Sequence, residues 1–268
     1  MTTDPSSIRP IACITGASSG IGAAFARRLA PLGYDLILVA RRVGLLEELS
    51  SELRCDPAAQ VEILPVDLAG PGQLAGLEER LRALERLELL VNNAGFGTQG
   101  SFLAVSVEDA DRMIDVHVRA SVRLARAALP GMVQRGRGAV INVASLAGLL
   151  PIPGSVTYSA TKAYLIAFSE ALSMELAGTG VRVQALCPGL THTGFHEAMG
   201  SIPRYTKFEL LWMSADAVAA SSLAALRRGA VVHVPGLINS LMLAAARLFP
   251  RAWYRALAGR AVRHVVDI

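Results

Sequence analysis

The sequence predicts an α/β fold in which helices cover both faces of a parallel sheet. Three observations carry this prediction. Short runs of β-branched residues alternate with longer helical patterns, these runs are apolar almost throughout, and no linker divides the chain. Near-continuous apolar strands are typical of parallel sheets that are buried on both faces. Alternation of strand and helix builds such sheets through right-handed crossovers.

The elements follow from these patterns in chain order. Seven runs rich in branched residues are predicted strands: Ile11–Thr15, Asp35–Ala40, Val61–Val66, Leu87–Asn92, Ala139–Val143, Val181–Leu186 and Val231–Val234. Between them, helical spacing predicts helices over Gly20–Leu32, Gly44–Arg54, Gln73–Leu84, Val107–Gln134, Val156–Ala177 and Ala215–Arg228. Pro235-Gly236 is the candidate boundary between the domain at 1–235 and a helical extension at 236–268, which belongs to the same domain or lies at its periphery. Within the extension, Pro250 is expected to start a second helix.

The composition is that of a folded protein from a reducing compartment. At 52% hydrophobic and 18% charged, the 268 residues exclude disorder, because such a chain buries enough apolar surface to offset its ordering entropy. Cys13, Cys55 and Cys187 match neither a disulfide framework nor a zinc ligand set. The first ten residues lack the apolar core of a signal peptide. We therefore expect a cytoplasmic protein that holds no metal.

The net charge of +4 lies entirely in the extension. Residues 1–235 carry 21 basic and 21 acidic side chains, whereas 236–268 carry five arginines and Asp267. A broad nucleic-acid face is therefore not expected. Uncharged stretches at 138–161 and 229–246 contain prolines and asparagines, so we expect no transmembrane helix. The apolar and basic extension favours a subunit contact or a lid over weak peripheral contact with a membrane surface.

A glycine-rich turn, TGASSGIG, follows the first strand. Its glycines permit a tight turn and a close approach of backbone to a pyrophosphate, which the next helix N-terminus also attracts. The spacing occurs in ordinary tight turns too, but the strand–turn–helix context favours a dinucleotide. The residues predicted to line the cofactor here are Gly16, Ser18, Ser19, Gly20, Ile21 and Gly22.

The end of the second strand indicates which dinucleotide binds. A site selective for NAD places Asp or Glu here, to bond the ribose 2′-hydroxyl. This chain has Ala40 followed by Arg41 and Arg42. Guanidinium groups suit a 2′-phosphate, so the pair predicts NADP(H). The alternative interpretation is a solvated pair of arginines.

Polar residues also follow the third and fourth strands. Asp67 and Leu68 come after the third strand, and Asn93, Ala94 and Gly95 come after the fourth. Ligands bind at the carboxyl ends of parallel strands, which makes these residues candidate cofactor contacts. Each of them also suits an ordinary strand-to-loop turn.

Tyr158 and Lys162 form the candidate acid–base pair. Their i, i+4 spacing places phenol and ammonium on one helix face. A phenol has a reference pKa of about 10, and a neighbouring cation lowers it towards a useful range. Ser145 follows the fifth strand, where its hydroxyl could hold a substrate oxygen or cap a loop.

Taken in order, these motifs resemble the short-chain dehydrogenase/reductase family over about residues 9–235. The resemblance implies a single Rossmann-type, doubly wound domain with a seven-stranded parallel sheet, and interconversion of alcohols and carbonyls with NAD(H) or NADP(H). It implies that Tyr158 is the acid–base residue, that Lys162 lowers its pKa and bonds the nicotinamide ribose, and that Ser145 polarises the carbonyl. It assigns cofactor contacts to Asp67, Leu68, Asn93, Ala94, Gly95, Tyr158, Lys162, Pro188, Gly189, Thr191 and Thr193.

One position departs from the family pattern. The family usually has an asparagine in the helix after the Asn-Asn-Ala-Gly run, where it supports a water that links the lysine to solvent. Here that position is His117. An imidazole also holds a water and titrates near neutral pH, so we expect His117 to anchor the relay water. The alternative is that His117 packs in the helix and other groups rebuild the relay.

The segment from Phe195 to Met213 is expected to cover the substrate. Its apolar side chains suit a bulky hydrophobic ketone, such as a steroid-like, aromatic or long-chain acyl compound, better than a sugar. The residues predicted to line the substrate pocket are Phe96, Leu149, Phe195, Met199 and Trp212.

These expectations combine in an NADP(H)-dependent oxidoreductase that interconverts a carbonyl and a secondary alcohol. Two other classes stay open: a catalytically weak nucleotide-binding regulator, which the intact Ser145, Tyr158 and Lys162 oppose, and a membrane-surface scaffold acting through the extension. A homodimer or homotetramer is expected, because apolar residues of 156–177 lie on more than one side of that helix.

Overall fold

A seven-stranded parallel sheet forms the centre of the computed structural model, which describes residues 9–54, 59–98, 100–193, 211–248, 252–254, 256 and 258. Its strands are β1 (Ile11–Thr15), β2 (Asp35–Ala40), β3 (Val61–Pro65), β4 (Leu87–Asn92), β5 (Gly138–Val143), β6 (Val181–Leu186) and β9 (Val232–His233). Two short strands, β7 (Thr191–His192) and β8 (Met213–Ser214), pair with each other in a separate sheet. The order across the large sheet is β3-β2-β1-β4-β5-β6-β9. Every pairing in it is parallel.

Eight α-helices with defined bounds lie in the described part of the chain: α1 (Gly20–Leu29), α2 (Val43–Leu53), α3 (Pro71–Arg82), α4 (Val107–Ile114), α5 (Ala120–Gln134), α6 (Val156–Glu175), α7 (Ala215–Arg227) and α8 (Leu237–Leu248). Residues 252–254, 256 and 258 are also helical. A π-helical turn, Asp115–Arg119, joins α4 to α5. Short 3₁₀ turns occupy Ala30–Leu32 and Leu146–Gly148. No helix among the described residues is both long and apolar enough to cross a membrane.

The strands bury alternate residues on opposite faces of the sheet. In β1, Ala12 and Ile14 belong to the core beneath α1, α2 and α7. Cys13 between them belongs to the core beneath α3 and α5. This two-residue alternation within apolar strands is the pattern of a sheet with no face left to water. The predicted doubly wound α/β fold with seven parallel strands is confirmed.

Strand order reverses at the pair β1 and β4, because β2 and β3 lie beyond β1 while β5 and β6 lie beyond β4. Open parallel sheets bind ligands in the crevice that such a reversal leaves at the carboxyl ends of the strands. The loops after β1, β4 and β5 carry the glycine turn, the Asn93 run and Ser145. The topology therefore brings the sequence-predicted motifs to one edge.

Besides shifts of up to three residues at several element ends, three features differ from the sequence prediction. The helix predicted over Val107–Gln134 is divided by the π turn, which inserts one residue into its hydrogen-bond ladder. The last strand is shorter than predicted, at Val232–His233. The pairing of β7 with β8 was not predicted, because each strand is only two residues long and shows no periodicity.

A chain of buried polar side chains ties the sheet to α6. The Asn92 amide donates to Asn142 Oδ1 at 2.9 Å, and the Asn142 amide donates to Ser169 Oγ, also at 2.9 Å. Ser169 donates in turn to the Leu165 carbonyl at 2.7 Å. Since α6 carries Tyr158 and Lys162, this chain sets the position of that helix against β4 and β5.

Replacing Asn142 tests this connection. Asn142→Ala removes the amide that hydrogen-bonds with both Asn92 and Ser169. The free energy of unfolding should therefore fall by about 2–3 kcal/mol in denaturant titrations. Ser169→Ala breaks only the helix side of the chain and should cost less. A loss at Asn142→Ala no larger than that at Ser169→Ala would contradict the central role of Asn142.

Candidate active site

The glycine turn after β1 is packed so tightly that side chains cannot replace its glycines. Gly16 and Gly20 have φ of +64° and +56°, a conformation that side chains with a Cβ rarely adopt. A Cβ at Gly22 would lie 2.4 Å from the Gly16 carbonyl oxygen. Ser19 precedes α1 without a side-chain capping bond, so the first N–H groups of α1 keep their capacity for an anionic ligand.

Asn93 braces this turn from the end of β4. Its side-chain amide donates to the carbonyls of Thr15 at 2.8 Å and Gly16 at 3.2 Å. In return, Thr15 Oγ1 accepts the backbone N–H groups of Asn93 and Ala94 at 2.9 and 3.0 Å. The loops after β1 and β4 therefore form one unit at the strand-order reversal.

Arg42 lies over the outer side of the turn. Its guanidinium donates to Ser18 Oγ at 3.0 Å and to Ser19 Oγ at 2.7 Å. Arg41 and Arg42 are both exposed, so both guanidinium groups are accessible to a phosphate. The end of β2 therefore brings positive charge next to the hydroxyl groups of the glycine turn.

Asp67 is held by α4. Its Oδ2 accepts a hydrogen bond from Arg112 at 2.7 Å, and its Oδ1 accepts the Ala69 N–H at 3.1 Å. Leu68 beside it is buried. Arg112 was not identified from the sequence, because nothing in the local pattern shows that a residue 45 positions away faces Asp67.

The loop of residues 188–193 closes the other side of the crevice. The Pro188 carbonyl accepts the Leu146 N–H at 2.9 Å, next to Ser145. A Cβ at Gly20 would lie 2.9 Å from Thr193 Cγ2, so Thr193 stands against the glycine turn. Thr191 is buried, and a Cβ at Gly189 would meet the side chain of Asn239 in α8 at 2.7 Å. The loop therefore bridges the turn and the Ser145 region.

Ser145, Tyr158 and Lys162 meet at the carboxyl end of β5. Ser145 caps the 3₁₀ turn through the Ala147 N–H and hydrogen-bonds with Tyr158. Lys162 donates from Nζ to the Val143 carbonyl at 2.8 Å, with Nζ 5.6 Å from the centre of the Tyr158 ring. A Cβ at Gly148 would lie 2.6 Å from the Lys162 backbone, so the turn after Ser145 packs directly on α6.

Burial sets the protonation of this group. It raises the pKa of Tyr158, against the opposing effect of the hydrogen bond with Ser145, so the expected lowering of that pKa by Lys162 is not found. It lowers the pKa of Lys162 to about 8. At neutral pH the phenol therefore keeps its proton and the amine remains mostly an ammonium. A protonated phenol beside a serine hydroxyl and a cation can deliver a proton to a carbonyl oxygen.

His117 lies fully buried in the π turn, in contact with this group. Its Nε2 accepts the Phe96 N–H at 3.0 Å, and its Nδ1 lies 2.9 Å from Thr161 Oγ1. Burial first, and the charge of Lys162 second, hold the pKa of His117 well below its usual 6.5. Neither Thr161 nor the Phe96 amide was identified from the sequence.

These partners change the interpretation of His117. A neutral imidazole has one donor and one acceptor, and protein groups occupy both. The expectation that His117 anchors a relay water requires a free ring nitrogen, which this arrangement does not supply. The low pKa likewise removes the expected titration of His117 near neutral pH. The geometry favours the alternative in which His117 packs and the relay runs through other groups.

The predicted substrate pocket is described only in part. The Phe96 ring meets the His117 ring edge-on at 5.8 Å, and Leu149 packs against the buried cluster that includes Leu165 and Ile166 of α6. Trp212 stacks on His192 with ring centres 4.7 Å apart. Phe195 and Met199 lie outside the described residues. The pocket therefore stays a prediction.

Comparison with known proteins identifies the family. Residues 10–201 match the family model of the short chain dehydrogenases. The chain belongs to this family. It is therefore an oxidoreductase, and its Rossmann-like fold agrees with the solved structures of its relatives.

Three solved structures are similar to this chain. One, from Sphingobium yanoikuyae in complex with NADPH, is 36% identical, with 97% of this chain and 96% of that chain covered and a TM-score of 0.79. The bulky-bulky ketone specific alcohol dehydrogenase from Comamonas testosteroni is 33% identical, with coverage of 89% and 93% and a TM-score of 0.76. A member from Burkholderia phymatum in complex with NAD is 28% identical, with coverage of 88% and 92% and a TM-score of 0.77.

The contact between Gly95 and His117 gives a first prediction for this site. A Cβ at Gly95 would lie 2.8 Å from His117 Nε2. Gly95→Ala should therefore lower the melting temperature, and adding His117→Asn, whose side chain is shorter, should recover part of the loss. Gly76→Ala on α3, where a Cβ meets nothing within 4 Å, is the control. Equal melting temperatures for the Gly95 and Gly76 variants would refute the contact.

The neutral state of His117 gives a second prediction, which concerns the pH dependence of stability. Below pH 6.5 the unfolded chain takes up a proton at His117 while the folded protein does not, because its pKa is held well below 6.5. The unfolded state then binds more protons, so acid lowers stability. Relative to His117→Asn, the free energy of unfolding should fall by up to about 1.4 kcal/mol per pH unit below pH 6.5. Parallel pH curves for the two proteins would show that folding does not lower the pKa of His117.

Proposed function

We propose that this short-chain dehydrogenase uses NADP(H) to interconvert a carbonyl and a secondary alcohol on a bulky hydrophobic substrate. The observation that carries the proposal is the position of Arg42, whose guanidinium bonds the Ser18 and Ser19 hydroxyls beside the glycine turn. No acidic residue follows β2 to hold a 2′-hydroxyl, since Ala40 leads directly into Arg41.

The residues present suit a dinucleotide. The uncapped N-terminus of α1 and the side-chain-free turn at Gly16 would hold the pyrophosphate. Arg42, with Arg41 beside it, would meet the 2′-phosphate through charge-assisted hydrogen bonds. When bound, the nicotinamide supplies or accepts the hydride. A relative bound to NADPH supports this preference, although another binds NAD.

The chain itself handles the proton. Tyr158 would donate its phenolic proton to the substrate oxygen, while the Ser145 hydroxyl holds that oxygen in line. The Lys162 ammonium, fixed by the Val143 carbonyl, would stabilise the phenolate that remains. In the oxidative direction the same groups act in reverse, with the phenolate taking the alcohol proton.

The substrate class rests on two kinds of support. The pocket candidates Phe96, Leu149 and Trp212 are apolar or aromatic, and a pocket of such side chains favours a hydrophobic ketone. One similar structure is described as specific for bulky-bulky ketones. A ketone with large groups on both sides of the carbonyl is the substrate that this combination favours.

Charge reversal at Arg42 tests the cofactor. The wild type should bind NADPH at least tenfold more tightly than NADH, a difference of about 1.4 kcal/mol. Arg42→Glu should remove or invert that ratio in fluorescence titrations, because a carboxylate repels the 2′-phosphate. Arg54→Glu makes the same charge change at the end of α2 and should leave the ratio intact. Equal affinities in the wild type would refute the preference.

Loss of the phenol tests the chemistry. With NADPH and a diaryl ketone, Tyr158→Phe should lower kcat by about 10²–10⁴-fold with little change in NADPH affinity, since only the proton donor is missing. A small ketone such as acetone should be a poor substrate for the wild type. Near-normal turnover by Tyr158→Phe would exclude it as the acid. NADPH binding without reduction of any ketone would favour the nucleotide-binding regulator.

A further inference from the structure

A directional chain of hydrogen bonds runs from the loop after β4 to the backbone of Tyr158. The Phe96 N–H can only donate, so His117 Nε2 must be the acceptor. In a neutral ring the proton is then on Nδ1, which donates to Thr161 Oγ1. The Thr161 hydroxyl in turn donates a hydrogen bond to the Tyr158 carbonyl at 2.8 Å. Each donor and acceptor therefore has a fixed direction.

The surroundings leave room for this ring and for little else. Gly95 lies against Nε2 so closely that an added Cβ would come within 2.8 Å. The π turn at Asp115–Arg119 carries the ring inward to complete burial. Because a π turn adds a residue to a helix at a local cost, a packed and fully bonded side chain inside one indicates a specific structural task.

The start of α6 needs support of this kind. Ser155 precedes the helix without a side-chain capping bond, and Tyr158 lies in the first turn. The end of a helix is the part that frays. The link from His117 through Thr161 reaches the carbonyl of Tyr158 itself. The His117 ring also meets the Tyr158 ring edge-to-face, with centres 5.8 Å apart and planes at 79°.

We propose that His117 is a positioning residue, a neutral imidazole that clamps the loop after β4 to the first turns of α6 and so fixes the Tyr158 phenol beside Ser145 and Lys162. The inference rests on the proposed function, in which Tyr158 is the acid. His117 exchanges no proton with substrate or cofactor in this role. It acts through its hydrogen bond with Thr161 and through the contact between its ring and the Tyr158 ring.

Two pairs of variants separate the parts of the clamp. His117→Asn keeps a donor near the Nδ1 position, whereas His117→Gln keeps an acceptor near the Nε2 position. Thr161→Val removes the hydroxyl, and Thr161→Ser restores it. Thr179→Val is the matched control, because Thr179 also donates to a carbonyl three residues earlier, at 2.7 Å, but lies in the loop after α6.

The kinetic experiment measures kcat and the KM for NADPH with one bulky ketone. Thr161→Val and His117→Gln should each lower kcat about tenfold, with KM for NADPH within about twofold, because positioning of the acid is lost while the cofactor site is intact. Thr161→Ser should recover most of kcat, and Thr179→Val should not change it. The double variant His117→Gln/Thr161→Val should be no slower than Thr161→Val alone, since both changes break one chain. Wild-type kcat in Thr161→Val, or additive losses in the double variant, would overturn the proposal.

A second measurement does not depend on activity. In ¹⁵N-labelled protein without substrate, the His117 ring should show a proton on Nδ1 and none on Nε2, unchanged from pH 8 to 6. The double variant should also show coupling between positions 117 and 161 in the free energy of unfolding. An Nε2–H or charged ring, or no coupling, would overturn the clamp. If these results hold while the wild type reduces no ketone, the proposed function fails and the clamp does not.

Discussion

The close packing of the glycine turn against the end of β4 is the constraint on which the candidate site depends. A Cβ at Gly16 would lie 2.8 Å from Ala94 Cα, and Asn93 fixes both loops through the carbonyls of Thr15 and Gly16. Since β1 and β4 are the strands at which the sheet order reverses, this contact lies at the ligand-binding crevice. A side chain at the turn would separate the loops and move both the phosphate-binding backbone and the segment that leads to Phe96.

Burial then gives the candidate catalytic group its chemistry. Lys162, Tyr158 and His117 share one buried region, and burial disfavours the charged form of each. Lys162 loses part of its basicity but keeps its charge at neutral pH, supported by the Val143 carbonyl. His117 stays neutral beside that cation, and Tyr158 stays protonated. The group therefore holds a proton on the phenol and a positive charge next to it, which is the state that carbonyl reduction requires at its start.

The sequence was sufficient for the fold, because apolar strands that alternate with helical patterns leave few arrangements other than a parallel sheet. It also located the motifs, since the ends of parallel strands converge whatever the details of packing. It could not show the π turn. Helical periodicity is read over many residues, and one inserted residue changes it little. Arg112 and Thr161 were missed for a related reason: their partners, Asp67 and His117, lie 45 and 44 positions away.

The histidine at position 117 illustrates how one side chain depends on several distant features. A ring larger than an amide needs the space that Gly95 leaves, and it needs the inward displacement that the π turn supplies. Its two nitrogens need an N–H and a hydroxyl at opposite ends, which Phe96 and Thr161 provide. An asparagine in the same helix would be too short to reach both partners, so the exchange of amide for imidazole alters what the position does. With an amide it can hold a solvent molecule, whereas with this imidazole it joins two protein segments directly. His117 therefore has no ring nitrogen left to hold a solvent molecule.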